Sequence, residues 1–332
     1  VSTPASPALS LEEARALRAA GQWQALVERG DALAEDDRVG EPELGLHHAV
    51  AVRRVNQTRR ALDLAGRLET EVRRRADARL TIEVVMLIGA ALWDSGRVDE
   101  AEQRYGEVLA LAAAHENDEA AANASNNLGI LANVRGRRDL ALTYYQRALA
   151  SYQRQGNPRG LAHTHHNLGI SYRDLGFDRE ADDHFRRAVD YAELSDTPDV
   201  VAMAELERAM LRARGGDPTL ATEMARRARD RFEAIGSPVG VADAERVLAL
   251  AKRAEGDDDE ALAHLDRALA TARAHDDALL HAEVQRDRGT LLRDRGDAAG
   301  AREALADGVE HFERIGAAAE AEALRVMIAA LT

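Results

Sequence analysis

From Leu11 onward, apolar residues recur at intervals of three and four, separated by glutamate, arginine and alanine, which is the pattern of helices with one buried face. No segment alternates β-branched and polar residues for more than a few positions, so no strand is expected. Val1 to Ser10 carries small residues, prolines and no charged side chain, and reads as a disordered tail.

The helical text repeats with a fixed offset of 40 residues. Gly89, Gly129, Gly169, Ala209, Ala249 and Gly289 form one ladder in the middle of predicted helices. Glycine there costs about 1 kcal/mol relative to alanine, so its recurrence requires a packing reason, and close approach of two helix backbones is the expected one. Gly96, Gly136, Gly176, Gly216, Gly256 and Gly296 form a second ladder where a left-handed C-cap would end each first helix. A third, Ala101, Ala141, Ala181, Ala221, Ala261 and Ala301, opens each second helix. It is followed four residues on by Tyr105, Tyr145, Phe185, Ala225, Leu265 and Leu305. Small and large residues at these spacings share a helix face and fill the wedge between neighbours.

The unit is therefore a helical hairpin that buries its apolar face only when stacked. Regular hairpins are predicted near 80–117, 120–157, 160–197, 200–236, 240–277 and 280–317, together spanning 80–317. Less regular ones precede them at 11–36, with Gly21 at the turn, and at 43–76, where Asn56 replaces the turn glycine. A terminal helix is predicted over 318–331. The expectation is an all-α, right-handed superhelical solenoid of about eight hairpins and a terminal helix, forming a single domain over 11–331.

Composition narrows the chemistry. At 45% apolar and 31% charged, the chain is in the globular range. The absence of cysteine removes disulfides, thiolate nucleophiles and cysteine-bound metals. With no charged-then-apolar leader and no apolar run of roughly 18 residues, a soluble cytoplasmic protein without a membrane span is expected. A net charge of -14 argues against phosphate-backbone binding and so against nucleic acid. Lys252 is the only lysine, as a GC-rich genome would produce.

The pattern Asn127-Leu128-Gly129, Gly136, Ala141, Tyr145 and Ala148 recurs at Asn167-Leu168-Gly169, Tyr172, Gly176, Ala181, Phe185 and Ala188. It resembles the tetratricopeptide repeat, and is most similar to the longer-period variety of kinesin light chains and of sensor domains in bacterial regulators. The usual period is about 34 residues, and the extra residues here imply longer helices closed by compact turns. The resemblance implies a concave groove lined by the first helix of each hairpin, binding a protein or extended peptide without catalysis and without a cofactor.

Carried onto this sequence, the groove positions are Asn123, Asn126, Asn127, Ile130 and Asn133 in one hairpin and His163, His166, Asn167, Ile170 and Arg173 in the next. Asparagine is a poor mid-helix residue, and its amide can donate to and accept from a peptide backbone together. Apolar pockets are expected near Ile130, Ile170 and Met210. Further along, Arg246, Arg253, Arg286 and Arg293, with Arg214 nearby, would form a stripe suited to an acidic peptide. The competing expectation is that Asp243, Glu283 and Asp287 neutralise it in a ladder of salt bridges between repeats.

Alternative chemistries find less support. His163, His165, His166 and His184 are the best-placed candidate metal ligands, but no carboxylate partner can be assigned, and no metal site is expected. Asp257, Asp258 and Asp259 fit helix capping better than acid-base work. Neither a phosphate loop nor a nucleophile elbow is present, so no catalytic residue is assigned. The run Arg73, Arg74, Arg75 does not recur at the repeat spacing and suits a helix C-terminus. The main rival to a binding groove is an assembly subunit, forming a homo-oligomer through the apolar terminal helix with Leu324, Val326, Met327 and Ile328, or through the convex face.

Overall fold

Two seventeen-residue helices and two three-residue turns fill the 40-residue period. The computed structural model describes residues 9–331. The chain forms α1 (Leu11–Ala19), α2 (Trp23–Asp31), α3 (Glu35–Gly40), α4 (Pro42–Arg54) and α5 (Thr58–Arg74). The regular pairs follow: α6 (Ala78–Asp94) with α7 (Val98–Ala114), α8 (Asp118–Val134) with α9 (Arg138–Gln155), and α10 (Pro158–Asp174) with α11 (Asp178–Leu194). Next come α12 (Pro198–Arg214) with α13 (Pro218–Ala234), α14 (Pro238–Glu255) with α15 (Asp258–Ala274), α16 (Ala278–Asp294) with α17 (Ala298–Arg314), and finally α18 (Ala318–Ala329). Among the described residues there is no strand, and the architecture is an all-α solenoid of paired helices. The short α3 between the two irregular hairpins was not legible in the pattern. Of the ten residues expected as a tail, 1–8 lie outside the described residues; Leu9 is buried, and the Ser10 hydroxyl accepts from the Glu13 amide at the start of α1.

Both kinds of turn are built the same way. Gly96, Gly136, Gly176, Gly216, Gly256 and Gly296 all have positive φ, between 69° and 84°, and Asn56 takes the same conformation at 61°. The turns between hairpins use a second left-handed ladder in which glycine is not obligatory, with Ala76, Glu116, Asp196 and Asp276 at φ of 50° to 54°. The residue after it is often a cap: the side chains of Asp77, Asn117, Asn157, Ser237 and Asp277 each accept from the backbone amide three residues on.

The mid-helix glycines make room for a side chain, which corrects the expectation of backbone contact. A Cβ on Gly129 would lie 2.5 Å from Tyr145 Cε1, one on Gly169 2.5 Å from Phe185 Cε1, and one on Gly89 2.7 Å from Tyr105 Cε1. Where the second helix carries Ala225 or Leu265, the first tolerates Ala209 or Ala249, all of them buried. A further compensation was missed. Tyr152 packs on Gly160 and Phe232 on Gly240, whereas at the same register Ala192 faces Val200 and Ala272 faces Leu280. Large and small exchange places between hairpins while the wedge stays filled.

The chain divides into two compact units, Val1–Leu128 and Gly129–Thr332, the division falling inside α8. In the second, α18 lies on α17, with Leu324 buried beside Leu305 and Phe312. The same cluster includes Val134, Arg138 bonds Glu320 at 3.2 Å, and Ala319 packs at the Gly136 turn. The second unit therefore curls until its last helix meets its first turn, which covers Leu324 and half of Met327 and Ile328. Val326 stays 62% exposed.

Candidate functional site

In the first unit, α8 holds Asn123 exposed and Asn126 and Asn127 half-buried. The Asn127 amide lies 3.6 Å from the Met86 sulfur on α6.

In the second unit, Ile130 packs on the cluster of Ala132, Ala141, Tyr145 and Leu168, and the Asn133 carbonyl oxygen accepts from the Ser171 hydroxyl at 3.1 Å. Helix α10 places His163, His166, Asn167, Ile170 and Arg173 along successive turns of one face. His166 is buried, its ring 5.8 Å from Phe185, and its Nε2 has no hydrogen-bond partner. Burial holds both His163 and His166 below the ordinary histidine pKa. Arg173 binds Asp174 at 2.8 Å and Glu207 on α12. Ile170 and Met210 are core residues of the hairpins rather than open pockets, Met210 being 2% exposed.

The downstream arginines are paired, so the salt-bridge ladder describes them and an open positive stripe does not. Arg246 is buried among Asp243 at 3.4 Å, Glu283 at 3.1 Å and Asp287 at 3.1 Å. Arg253 pairs with Asp294, Arg293 with Asp294 at 2.8 Å, and Arg286 with Asp287 at 3.4 Å. Arg214 forms no such ion pair among the described residues: burial depresses its pKa, and so do Arg173 and Arg286, against the pull of Asp287 and Glu207. Its side chain is nevertheless reached by solvent. Asp243 shows the same combination: burial raises its pKa to about 7, against the pull of Arg246, while its side chain stays 38% exposed. Arg173, Arg214, Asp243 and Arg286 stand on the first helices α10, α12, α14 and α16, and Arg173 and Arg286 are close enough to Arg214 to act on its charge.

A different polar register runs inside the hairpins, at positions 165, 205, 245 and 285. His165 Nδ1 lies 2.9 Å from His184 Nδ1, Glu205 pairs with Arg231 at 2.9 Å, and Glu245 with His264 at 2.7 Å and Arg267 at 2.8 Å. At the last position the Gln285 amide donates to Asp307, which His281 and His311 also contact. The four-histidine cluster considered from sequence does not assemble: His165 and His184 meet, while His163 and His166 lie toward Asp199 and Glu207. The grouping of His281, Asp307 and His311 was missed, although Asp307 and His311 are four apart on one helix face.

Other candidates are satisfied locally. Arg73 pairs with Glu69 and Glu107, and Arg74 and Arg75 with Glu71. The Asp257 carboxylate caps α15 at the Glu260 amide, 3.1 Å away. A depression of about 490 Å³ in the first unit, between α5 and α7, is lined by mutually paired charges including Glu69, Arg104 and Glu107. It contains none of the groove positions. No described helix is long and apolar enough to cross a membrane.

Residues 120–194 match the sequence model of the tetratricopeptide repeat. No curated protein matches the chain. Among solved structures, a Rap protein complexed with competence and sporulation factor is 15% identical with a TM-score of 0.66, over 97% of this chain and 96% of that one. The Rap conjugation gene regulator of plasmid pLS20, in complex with the Phr* peptide, is 16% identical with a TM-score of 0.71, over 87% and 79%. The apo form of the quorum sensor NprR from B. thuringiensis is 13% identical with a TM-score of 0.56, over 97% of both chains. At such identities the likeness is one of fold.

Proposed function

We propose that this helical-repeat protein is a non-catalytic peptide sensor or adaptor whose ligand lies along the first-helix face of its hairpins, held by amides and by the polar groups of α10. The observation that carries this is the shared face of His163, His166, Asn167 and Arg173 on α10, beside which Glu207 of α12 pairs with Arg173. One similar fold was solved in complex with a peptide and another with competence and sporulation factor, which favours a peptide over other ligands. Because Arg246, Arg253, Arg286 and Arg293 are already paired, Arg214 is the position left to select an acidic group on the ligand.

The test is capture from lysate of the source cell on immobilised wild type and on Asn167→Ala, each first checked for native helicity. A partner retained by wild type and lost from the variant supports the reading. Equal capture by both, or capture by neither, counts against it.

A further inference from the structure

The last hairpin of the second unit holds a cluster that the peptide reading does not use. His281 Nε2 on α16 lies 3.0 Å from Asp307 Oδ2, and His311 Nδ1 lies 3.0 Å from Asp307 Oδ1, one turn along α17. The two imidazoles stack with centroids 3.8 Å apart and planes 6° from parallel. One nitrogen from each ring and one carboxylate oxygen all lie within 4.8 Å of one another. A tetrahedral ion with bonds of about 2.0–2.1 Å spaces its ligand atoms about 3.3 Å apart, so the set is near bonding distance and closes around a metal once the two rings turn out of their stack.

We propose that His281, Asp307 and His311 form a binding site for a divalent transition metal of the zinc class, joining α16 to α17. Two imidazoles and one carboxylate suit zinc, nickel or cobalt rather than calcium or magnesium, which take oxygen ligands. Three protein ligands leave a fourth position for water. Gln285, 4% exposed, donates to Asp307 Oδ2 and fixes the carboxylate, the role of an outer-shell partner. Its own Oε1 is buried without a partner, and an ion-bound water would supply one. Two features oppose the ion and set a moderate affinity. Arg273 is 3.9 Å from Asp307 Oδ2, and His311 Nδ1 also faces the Asp307 main-chain oxygen at 3.0 Å. The metal takes Nδ1 in the tautomer that carries its proton on Nε2.

The chain stripped with chelator is titrated calorimetrically with ZnCl2 as wild type, His311→Ala and Asp307→Asn, with His275→Ala, an exposed histidine, as control. The site predicts one saturable equivalent in wild type and in the control. Affinity falls at least tenfold in both ligand variants, and zinc raises the melting temperature of wild type but not of Asp307→Asn. Asp307→Asn preserves side-chain volume, so it tests the site even where His311→Ala weakens the fold. No saturable binding to wild type, or undiminished binding to Asp307→Asn, overturns the proposal.

Discussion

The ring of Tyr145 occupies the space that a Cβ on Gly129 would need, with Cε1 2.5 Å from that position. Helix propensity alone makes Gly129→Ala favourable by about 1 kcal/mol, whereas overpacking costs about 1–3 kcal/mol. The contact decides the sign: Gly129→Ala is expected to destabilise in urea denaturation. Adding Tyr145→Leu recreates the Ala249 and Leu265 pairing found three hairpins later, and recovers most of the loss. A single variant at least as stable as wild type would show that the glycine has another cause.

Asp196 holds φ of 50° at an exposed turn. L-residues pay about 1–2 kcal/mol for this region and glycine pays little, against its greater unfolded-state entropy. Asp196→Gly is therefore expected to stabilise by about 0.5–1 kcal/mol, read as a higher urea midpoint at unchanged slope. An unchanged or lower midpoint rejects the strain argument.

Much of this was legible because periodicity and turn chemistry are local. The 40-residue ladders placed the hairpins, the left-handed glycines and the size-matched wedges, and Asp243, Glu283 and Asp287 could be read as partners of the arginines, whereas Asp294 could not. The exchange of Tyr152 and Gly160 for Ala192 and Val200 was not legible, because it relates the end of one hairpin to the start of the next. Curling of the second unit, which brings Glu320 to Arg138, accumulates over several hairpins and has no local signal. The groove residues could be placed on faces, but whether Arg246 was open or paired depended on side chains from α16. The histidine and aspartate cluster joins residues on two helices, and only its Asp307 and His311 spacing was visible.

Burial holds the His165 imidazole down to about 4, with His184 and Arg187 adding to the shift. In the unfolded chain it titrates near 6.5. Between those values the unfolded chain takes up a proton that the folded chain refuses, so this contribution is complete above about 6.5 and is lost as pH falls toward 4. At about 1.4 kcal/mol per unit the full shift amounts to about 3 kcal/mol. Asp243, raised to about 7, acts in the opposite sense over the same range, so the informative quantity is a difference. His165→Gln, the residue type at position 285, is expected to reduce the stability lost between pH 7 and pH 5. Identical losses in variant and wild type would contradict this.

Arg246 is 5% exposed at its side chain and faces three carboxylates. Arg246→Met leaves them uncompensated and is expected to cost about 3–5 kcal/mol. Adding Glu283→Gln and Asp287→Asn removes most of that repulsion and restores part of the stability. A loss below 1 kcal/mol in the single variant, measured by denaturation, would mean that water already screens the cluster.

The central claim is that a peptide lies along the first-helix face, and its most direct measurement is binding of peptides selected from a random library on the immobilised protein. Fluorescence polarisation with the selected peptide compares wild type, Asn167→Ala and Arg226→Ala, the last an exposed second-helix position paired with Glu223. The account predicts at least a tenfold loss for Asn167→Ala, about 1.4 kcal/mol, with Arg226→Ala unchanged. Equal affinity across all three proteins, or loss only in Arg226→Ala, would contradict it.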